Sequence, residues 1–509
     1  MENAVVNDKP SFWLETRTIL GFALSLLALA EIIDLTIVSV ALPNIMGSLG
    51  ANLDEISLTI TSYIVAAAIF IPLTGMVTAK FGVRNVVLVS AFLFGVSSVL
   101  CGVSTTVAEM VFFRLLQGIG GAFLPSMTQA YIINHFKGND QAKMMGIFSS
   151  CVVLGPIIGP ILGGAIAEHA SWRWVFYVNV PVCALGFFIV YFLMDKDEPQ
   201  PYKTDYISFL FMVIGVGCLE YFIDEGNQKN WFESHELIII LVVAVVSLIF
   251  FVWRGLLGKS VVNLNLFKYR NYNLSCLGVW LFMIVIIGAL AFYPTLLQQG
   301  YNFPVDTAGY ITAPRGLASL AAAPIFIQLG KKIDPRYLFF IGLMIFAYST
   351  YLLIGYSNNY SFDLILWTMI WQGVGMVGVF INLMQLTFTN LPHEYNSDGA
   401  GVFNFFRNIG NSVGTSIAST TISHQRQVSW NDMSHQVSMQ SPAYRDLVSH
   451  VGSSKAIFLM TSEIQKQSFL IANIDVFYYV LIGIVLIAWI PFFLDKPPMD
   501  GNASMDMHI

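Results

Sequence analysis

Long apolar stretches alternate with short polar segments along almost the whole chain of 509 residues. About 20 apolar residues in a helix cross the hydrocarbon core of a bilayer, so each stretch predicts one transmembrane helix. The pattern predicts an all-α membrane protein with fourteen spans, whose even number places both termini on one side of the membrane. The spans are 19–46, 56–79, 86–104, 108–133, 142–167, 175–194, 205–224, 237–257, 273–299, 305–329, 337–356, 362–390, 399–423 and 474–495.

The composition supports lipid as the solvent for most of the surface. Hydrophobic residues make up 56% of the chain and charged residues 11%, whereas soluble proteins carry about 25% charged residues. This excludes a cytosolic enzyme, a nucleic-acid binder and a secreted disulfide scaffold. No metal-ligand or nucleophile constellation stands out, so we expect no enzymatic activity and no cofactor. The five cysteines lie in apolar stretches without CxxC spacing, which predicts buried free thiols.

Lysine and arginine set the orientation, because cytoplasmic loops carry an excess of both. With the N-terminus inside, sixteen of these residues fall in cytoplasmic segments and six outside, four of the six in one long loop. We therefore expect residues 1–18 and 496–509 to lie in the cytoplasm.

An internal repeat divides the chain. Glycines recur at an offset of 255 residues, as at Gly75 and Gly330 or Gly155 and Gly410. The repeat predicts two parallel six-helix halves, 19–194 and 273–495, with an inserted transmembrane hairpin at 205–257. The second half includes a predicted external loop, 424–473. Parallel halves are typical of transporters that rock between two access states.

Two acidic side chains, Glu31 and Asp34, lie inside the first span, three residues apart and so on one helical face. Ionised acids inside a bilayer are costly, so both should face the bundle interior. Two acids in one low-dielectric site titrate as a pair, which suits a carrier that binds a proton in one access state and releases it in the other. The alternative is an interhelical hydrogen bond that only fixes packing.

Three arginines also lie within predicted spans. Arg114, in span 4, cannot lose its charge and needs a partner, for which Asp34 is the first candidate. Protonation of Asp34 would then break the pair and act as a switch; alternatively the pair is permanent and structural. Arg407 lies in the middle of span 13, and Arg315 is a further candidate charge partner or lines the wet mouth of a cavity.

A second acidic pair, Glu220 and Asp224, lies four residues apart near the outer end of span 7. Glu220 is either a second proton or cation site or a wetted helix end, because acids near the interface cost little.

Span 5 combines prolines with regularly spaced glycines. Each proline removes a helical hydrogen bond and bends the helix. The glycines form a flat strip at i, i+4 and i+8 that lets another helix approach closely, and we expect a tight seam between the two halves. The residues are Gly155, Pro156, Gly159, Pro160, Gly163 and Gly164.

Three of these spans carry a resemblance to the major facilitator superfamily, specifically to its fourteen-helix drug:proton antiporters. Residues 32–43, with Asp34, resemble the first-helix motif of that branch. Residues 112–123 resemble the arginine-containing motif linked to proton transfer, and residues 155–164 match the antiporter motif.

The loop between spans 2 and 3 matches the superfamily's cytoplasmic loop motif in part. It keeps Gly75, Lys80, Gly82 and Arg84, but has Ala79 where the family usually has an acid. Further stretches, at 223–232, 313–316 and 403–414, are similar to the EmrB-like branch, and the first of them includes Asp224.

The resemblance implies proton-coupled export of structurally varied hydrophobic drugs or toxic compounds. In Gram-negative bacteria it also implies an inner-membrane location, a periplasmic adaptor of the EmrA type and an outer-membrane channel. Two alternatives stay open: transport of a specific metabolite by the same fold, and a non-transporting membrane sensor. Asp34, Arg114 and the two-proline span 5 favour antiport over the sensor.

The predicted external loop 424–473 contains two stretches with helical spacing, one around Tyr444, Leu447 and Val451, the other from Ile457 to Ile464. Amphipathic segments of this size suit docking to a partner such as the adaptor. The alternative is a mobile loop that caps the external mouth.

Overall fold

The computed structural model describes residues 15–197, 205–355, 362–436, 448–450 and 452–496, and this part of the chain is helical without a β-strand. The helices of the first part are α1 Thr16–Leu49, α2 Leu53–Phe70, α3 Thr74–Phe81, α4 Val83–Val103, α5 Val107–Gly121, α6 Leu124–His135, α7 Gly138–His169, α8 Trp174–Tyr177 and α9 Asn179–Leu193. Those of the second part are α10 Tyr206–Glu225, α11 His235–Leu256, α12 Arg270–Thr295, α13 Val305–Leu329, α14 Pro335–Ile354, α15 Phe362–Phe388, α16 Asn396–Gln436, α17 Ser453–Ile487 and α18 Ile490–Phe493.

Twelve helices of the described residues are long and apolar enough to cross a membrane, or thirteen if the bent helix α7 counts as one span. Helix α16, at the predicted span 13, is not among them, because Asn, Ser and Thr residues dilute its apolar character. The protein is therefore an all-helical multi-pass membrane protein. The count of fourteen and the inserted hairpin stay predictions.

Most of the described part of the predicted external loop 424–473 is helical. Residues up to Gln436 continue α16, and α17 begins at Ser453 and contains the predicted helical stretch from Ile457 to Ile464. Polar helices that project beyond a membrane lack the apolar signal from which spans are predicted. Tyr444, Leu447 and Val451 lie outside the described residues, as do 1–14 and 497–509 of the predicted cytoplasmic termini.

Helices of the first predicted half pack mainly with one another. Helix α1 lies against α6, α7 and α9, and α5 lies against α2 and α4. In the second half, α15 packs on α13 and α14, and α16 packs on α12 and α17. The two groups meet where α7 contacts α13 and α15, and where α16 contacts α3 and α6. Asn404 Nδ2 donates to Gln129 Oε1 at 2.7 Å across the second contact.

The two helices α10 and α11 pack on each other, and their ends are joined by the Arg254–Asp205 ion pair at 2.8 Å. Helix α11 exposes most of its apolar side chains, as expected of a lipid-facing helix. Helix α10 instead touches both groups, because Asp224 contacts Thr61 of α2 and the Ser416 hydroxyl of α16 donates to the Ile223 carbonyl at 2.7 Å.

All five cysteines are free, and all but the half-buried Cys218 are buried, as the sequence predicts.

Candidate functional site

The Asp34 carboxylate lies in the middle of α1 and is completely buried. Three donors from two other helices converge on it. Arg114 of α5 forms an ion pair with Oδ2, and Gln117 Nε2 of the same helix donates to Oδ1 at 3.0 Å. Asn179 Nδ2 of α9 donates to Oδ1 at 2.6 Å. Both oxygens of an acid inside the bundle are thereby satisfied, which burial of a charge requires.

Arg114 makes further contacts besides this ion pair. Its Nε donates to the Thr59 carbonyl at 3.1 Å, its Nη1 donates to Gln117 Oε1 at 2.7 Å, and its guanidinium lies 4.3 Å from the centre of the Tyr63 ring. The predicted pairing of Arg114 with Asp34 is confirmed. Two opposite charges that are fully buried and hydrogen-bonded form a unit in which loss of either charge leaves the other uncompensated.

Sequence reasoning missed Asn179 and Tyr63. Asn179 opens α9 inside an otherwise apolar span, so its polarity was a usable signal. Tyr63 gave no such signal, because tyrosine is common in membrane helices. Thr59 contributes only its backbone carbonyl, which every residue has, so the sequence could not identify this contact.

Glu31 lies one turn before Asp34, is 4% exposed, and accepts a hydrogen bond from the Tyr63 hydroxyl at 3.4 Å. Tyr63 therefore touches both Arg114 and Glu31, so the two acids share one polar cluster. Across the contact between the two helix groups, the charge of Arg407 on α16 attracts Glu31, while Asp34 repels it.

Arg315 is buried among residues of its own group. Its Nη2 lies 3.1 Å from the Met369 sulfur, and its guanidinium lies 5.5 Å from the centre of the Tyr293 ring. At 3% exposure it does not line an open cavity mouth, which contradicts that alternative.

Glu220 is completely buried in α10 near Ser412 of α16, but neither of its carboxylate oxygens has a hydrogen-bond partner among the described residues. Its burial contradicts the alternative of a wetted helix end. Asp224, one turn further out, accepts the hydrogen bond from the Thr61 hydroxyl. The two acids of α10 therefore face different helix groups.

The glycine strip of α7 does not form the expected seam between the halves. A Cβ atom on Gly155 would lie 2.8 Å from Ile32 Cβ, and one on Gly163 would lie 2.8 Å from the Ile37 carbonyl. Both neighbours belong to α1, within the same half. Small residues and their period identify a face for close packing, but they do not identify the partner helix. The strip contacts the segment of α1 that carries Asp34.

The prolines bend α7 as predicted. The segments Gly138–Pro156 and Ile158–Ile166 meet at 43°, which follows the loss of helical hydrogen bonds at Pro156 and Pro160. Gly164, beside the strip, is buried.

The cytoplasmic loop motif turns the chain from α3 into α4. Gly82 has φ +79°, a conformation that only glycine adopts without strain. Asp197, beyond α9, accepts the Val83 amide at 2.8 Å, and the Arg84 guanidinium donates to the Tyr191 carbonyl at 2.6 Å. Lys80 lies over the Phe81 ring. Gly75 packs against Asp398 of α16, so the motif also touches the second helix group.

We expect Asp197→Ala to destabilise the protein by about 1 kcal/mol, because the first amides of α4 lose their acceptor. The melting temperature of the purified protein measures this effect. Asp195→Ala, two residues away, is the matched control, and equal melting temperatures for the two variants would contradict the capping role.

The Major Facilitator Superfamily model matches residues 24–415. The chain belongs to this superfamily. It is 31% identical over 493 residues to the multidrug export protein EmrB of Haemophilus influenzae, a match that covers 94% of this chain and 96% of that protein. It is 29% identical over 487 residues to the fatty acid resistance protein FarB of Neisseria gonorrhoeae, covering 92% of this chain and 96% of that protein.

Among solved structures, the proton:xylose symporter XylE superimposes with a TM-score of 0.56 at 13% identity, covering 91% of this chain and 95% of that one. At this identity the likeness concerns the fold alone. The relatives establish an EmrB-like transporter of the superfamily, in the multidrug or fatty acid efflux group, rather than an enzyme.

Proposed function

We propose that the protein is a proton-coupled antiporter that exports hydrophobic drugs or toxic compounds across the bacterial inner membrane. The observation that carries the proposal is the buried Asp34 carboxylate in its ion pair with Arg114. An acid that can change charge, opposite a guanidinium that cannot, is a two-state element suited to proton coupling. Both termini lie in the cytoplasm, with a six-helix half on each side of an inserted α10–α11 hairpin.

In the proposed cycle, ionised Asp34 holds Arg114 and ties α1 to α5. Protonation of Asp34 removes the attraction and frees α1 to shift. Helix α7 packs on α1 through its glycine strip and on α13 of the other half, so a shift of α1 reaches the contact between the halves. Glu31 takes part through Tyr63, which touches both Glu31 and Arg114.

Glu220 and Asp224 are proposed as a second proton-binding pair. They lie on α10, where that helix contacts α2 of one half and α16 of the other. Loss of charge at Asp224 changes the contact with Thr61, and loss of charge at Glu220 removes a buried negative charge whose oxygens have no hydrogen-bond partner among the described residues.

Purified protein in proteoliposomes tests the function directly. Addition of a hydrophobic drug on one side should release protons from the vesicles or take them up, as reported by an internal pH dye. A metabolite transporter of the same fold would respond to its metabolite and not to drugs. A sensor would move protons in response to neither drugs nor metabolites, and that result would contradict the proposal.

A periplasmic adaptor of the EmrA type, with an outer-membrane channel, is proposed as the partner. The support is the external part of α17, whose Ile457, Phe458 and Leu459 are exposed. Phe458 lies sixteen residues before the predicted span at 474, about 24 Å along a helix, so these side chains are beyond the hydrocarbon core.

We expect replacement of residues 430–468 by a Gly/Ser linker of equal length to abolish drug resistance in cells and co-purification of the adaptor. The isolated protein should still exchange drug for protons in vesicles, because Asp34 and Arg114 are untouched. Adaptor recovery at the wild-type level would refute docking.

A milder pair of variants separates docking from folding. Ile457→Asp with Phe458→Asp should weaken adaptor recovery, whereas Ser453→Asp with Ser454→Asp, in the first turn of the same helix, should not.

A further inference from the structure

Several buried polar side chains on α1, α6 and α16 carry atoms that have no hydrogen-bond partner among the described residues. These atoms are Glu31 Oε2, Gln129 Nε2, Asn404 Oδ1, Arg407 Nε and Nη1, Asn408 Nδ2 and Asn411 Oδ1. Buried polar groups are nearly always paired, so a cluster of unpaired ones marks a place that water or a ligand fills.

The cluster lies at the contact between the two helix groups. Asn404 of α16 turns toward α6, because its Nδ2 donates to Gln129 Oε1 at 2.7 Å. Arg407, Asn408 and Asn411 follow at three, four and seven residues, which places them on the same face of α16. The charge of Arg407 also acts on buried Glu31 of α1, although Glu31 Oε2 and the Nε and Nη1 atoms of Arg407 have no hydrogen-bond partner among the described residues.

Arg407 is the dominant charge in this cluster. It is 7% exposed and cannot be deprotonated, and Glu31 is the charge that acts on it in return. The groups that face Glu31 are Arg407, Asp34 on its own helix and Tyr63 of α2. Glu31 can be neutralised by a proton, whereas Arg407 then needs another anion, because a buried guanidinium without a counter-charge is strongly unfavourable.

We propose that Arg407 binds the anionic head group of a lipophilic carboxylate substrate, and that the negative charge of Glu31 near Arg407 opposes binding of this anion. The unpaired donors Asn408 Nδ2 and Gln129 Nε2 lie in the same cluster and complete a site for carboxylate oxygens. The inference rests on the proposed export function, for which it names a substrate class.

The negative charges of ionised Glu31 and of a bound carboxylate repel each other in this arrangement. Protonation of Glu31 removes the repulsion, so affinity for a carboxylate should rise as the pH falls, as long as the substrate itself stays ionised. An uncharged analogue is not repelled and should bind independently of pH.

Equilibrium binding of 4-phenylbutyrate and of its uncharged analogue 4-phenylbutyramide to the purified full-length protein tests the site. The wild type should prefer the carboxylate by roughly tenfold, the ratio expected for one hydrogen bond to a charged group. Arg407→Gln should abolish this preference, and Arg407→Lys should retain part of it. Arg426→Gln, on the exposed outer part of α16, is the control.

Glu31→Gln supplies an independent measurement. This variant should bind the carboxylate more tightly than the wild type at pH 7.5, and its affinity should no longer change with pH. Equal binding of the two probes to the wild type, binding of neither, or an intact carboxylate preference in Arg407→Gln would overturn the proposal.

The assay uses no proton gradient, so it separates the site from the export function. An Arg407-dependent preference in a protein that moves no protons would contradict export and support the site. Drug-driven proton flux in a protein that binds both probes equally would support export and contradict the site.

Discussion

Asp34→Asn should abolish drug-driven proton flux in proteoliposomes and leave drug binding largely intact. The substitution keeps the size of the side chain but removes the charge change on which the proposed coupling depends. Arg114, Gln117 and Asn179, which bind this side chain, all belong to the first half, so substrate contacts elsewhere should survive. Unchanged proton flux in an Asp34→Asn variant expressed at the wild-type level would contradict the coupling role of Asp34.

Folding of this variant needs its own control, because Asp34→Asn leaves Arg114 buried without a counter-charge. Removal of one partner of a buried ion pair costs about 3–5 kcal/mol. The double variant Asp34→Asn/Arg114→Gln removes both charges and should reach the membrane at the wild-type level while still failing to couple. Asp363→Asn, exposed at the start of α15, should leave flux unchanged.

Permanent charges made part of the site predictable from the sequence. The charge of Arg114 inside a span requires a partner, and Asp34 was the acid at a suitable depth. The structure confirms this ion pair. Neutral polar residues have no charge that requires a specific partner. Asn179 and Tyr63, which complete the cluster, therefore emerged only when the helices were placed next to one another.

Helix positions within the apolar stretches were predictable for the same reason that spans are detectable: the bilayer requires long apolar runs. The extension of α16 to Gln436 was not, because no bilayer imposes such a pattern on it, whereas the helical spacing from Ile457 to Ile464 did indicate the outer part of α17. The partner of the glycine strip was not predictable either. A period of four residues defines a face on α7, but only the packing shows that α1, and not the other half, lies against it.

Gly159→Leu should block or uncouple transport without preventing insertion into the membrane. A Cβ atom at this position would lie 2.9 Å from Thr36 Cβ and 3.2 Å from the Ile33 carbonyl, both on α1 and both within two residues of Asp34. A leucine must push α1 away from α7. Overpacking of this kind costs about 1–3 kcal/mol, which a large bundle withstands. The displacement also moves Asp34 relative to Arg114, so we expect coupling to fail before folding does.

A graded series makes this expectation specific. Gly159→Ala adds one methyl group and should reduce proton flux partly, whereas Gly159→Leu should reduce it to background. Gly47→Leu is the matched control, because a Cβ atom on Gly47, near the end of the same α1, meets no atom within 4 Å. That variant should transport normally. A well-expressed Gly159→Leu protein with normal rate and coupling would refute the view that close packing of α7 on α1 holds Asp34 in place.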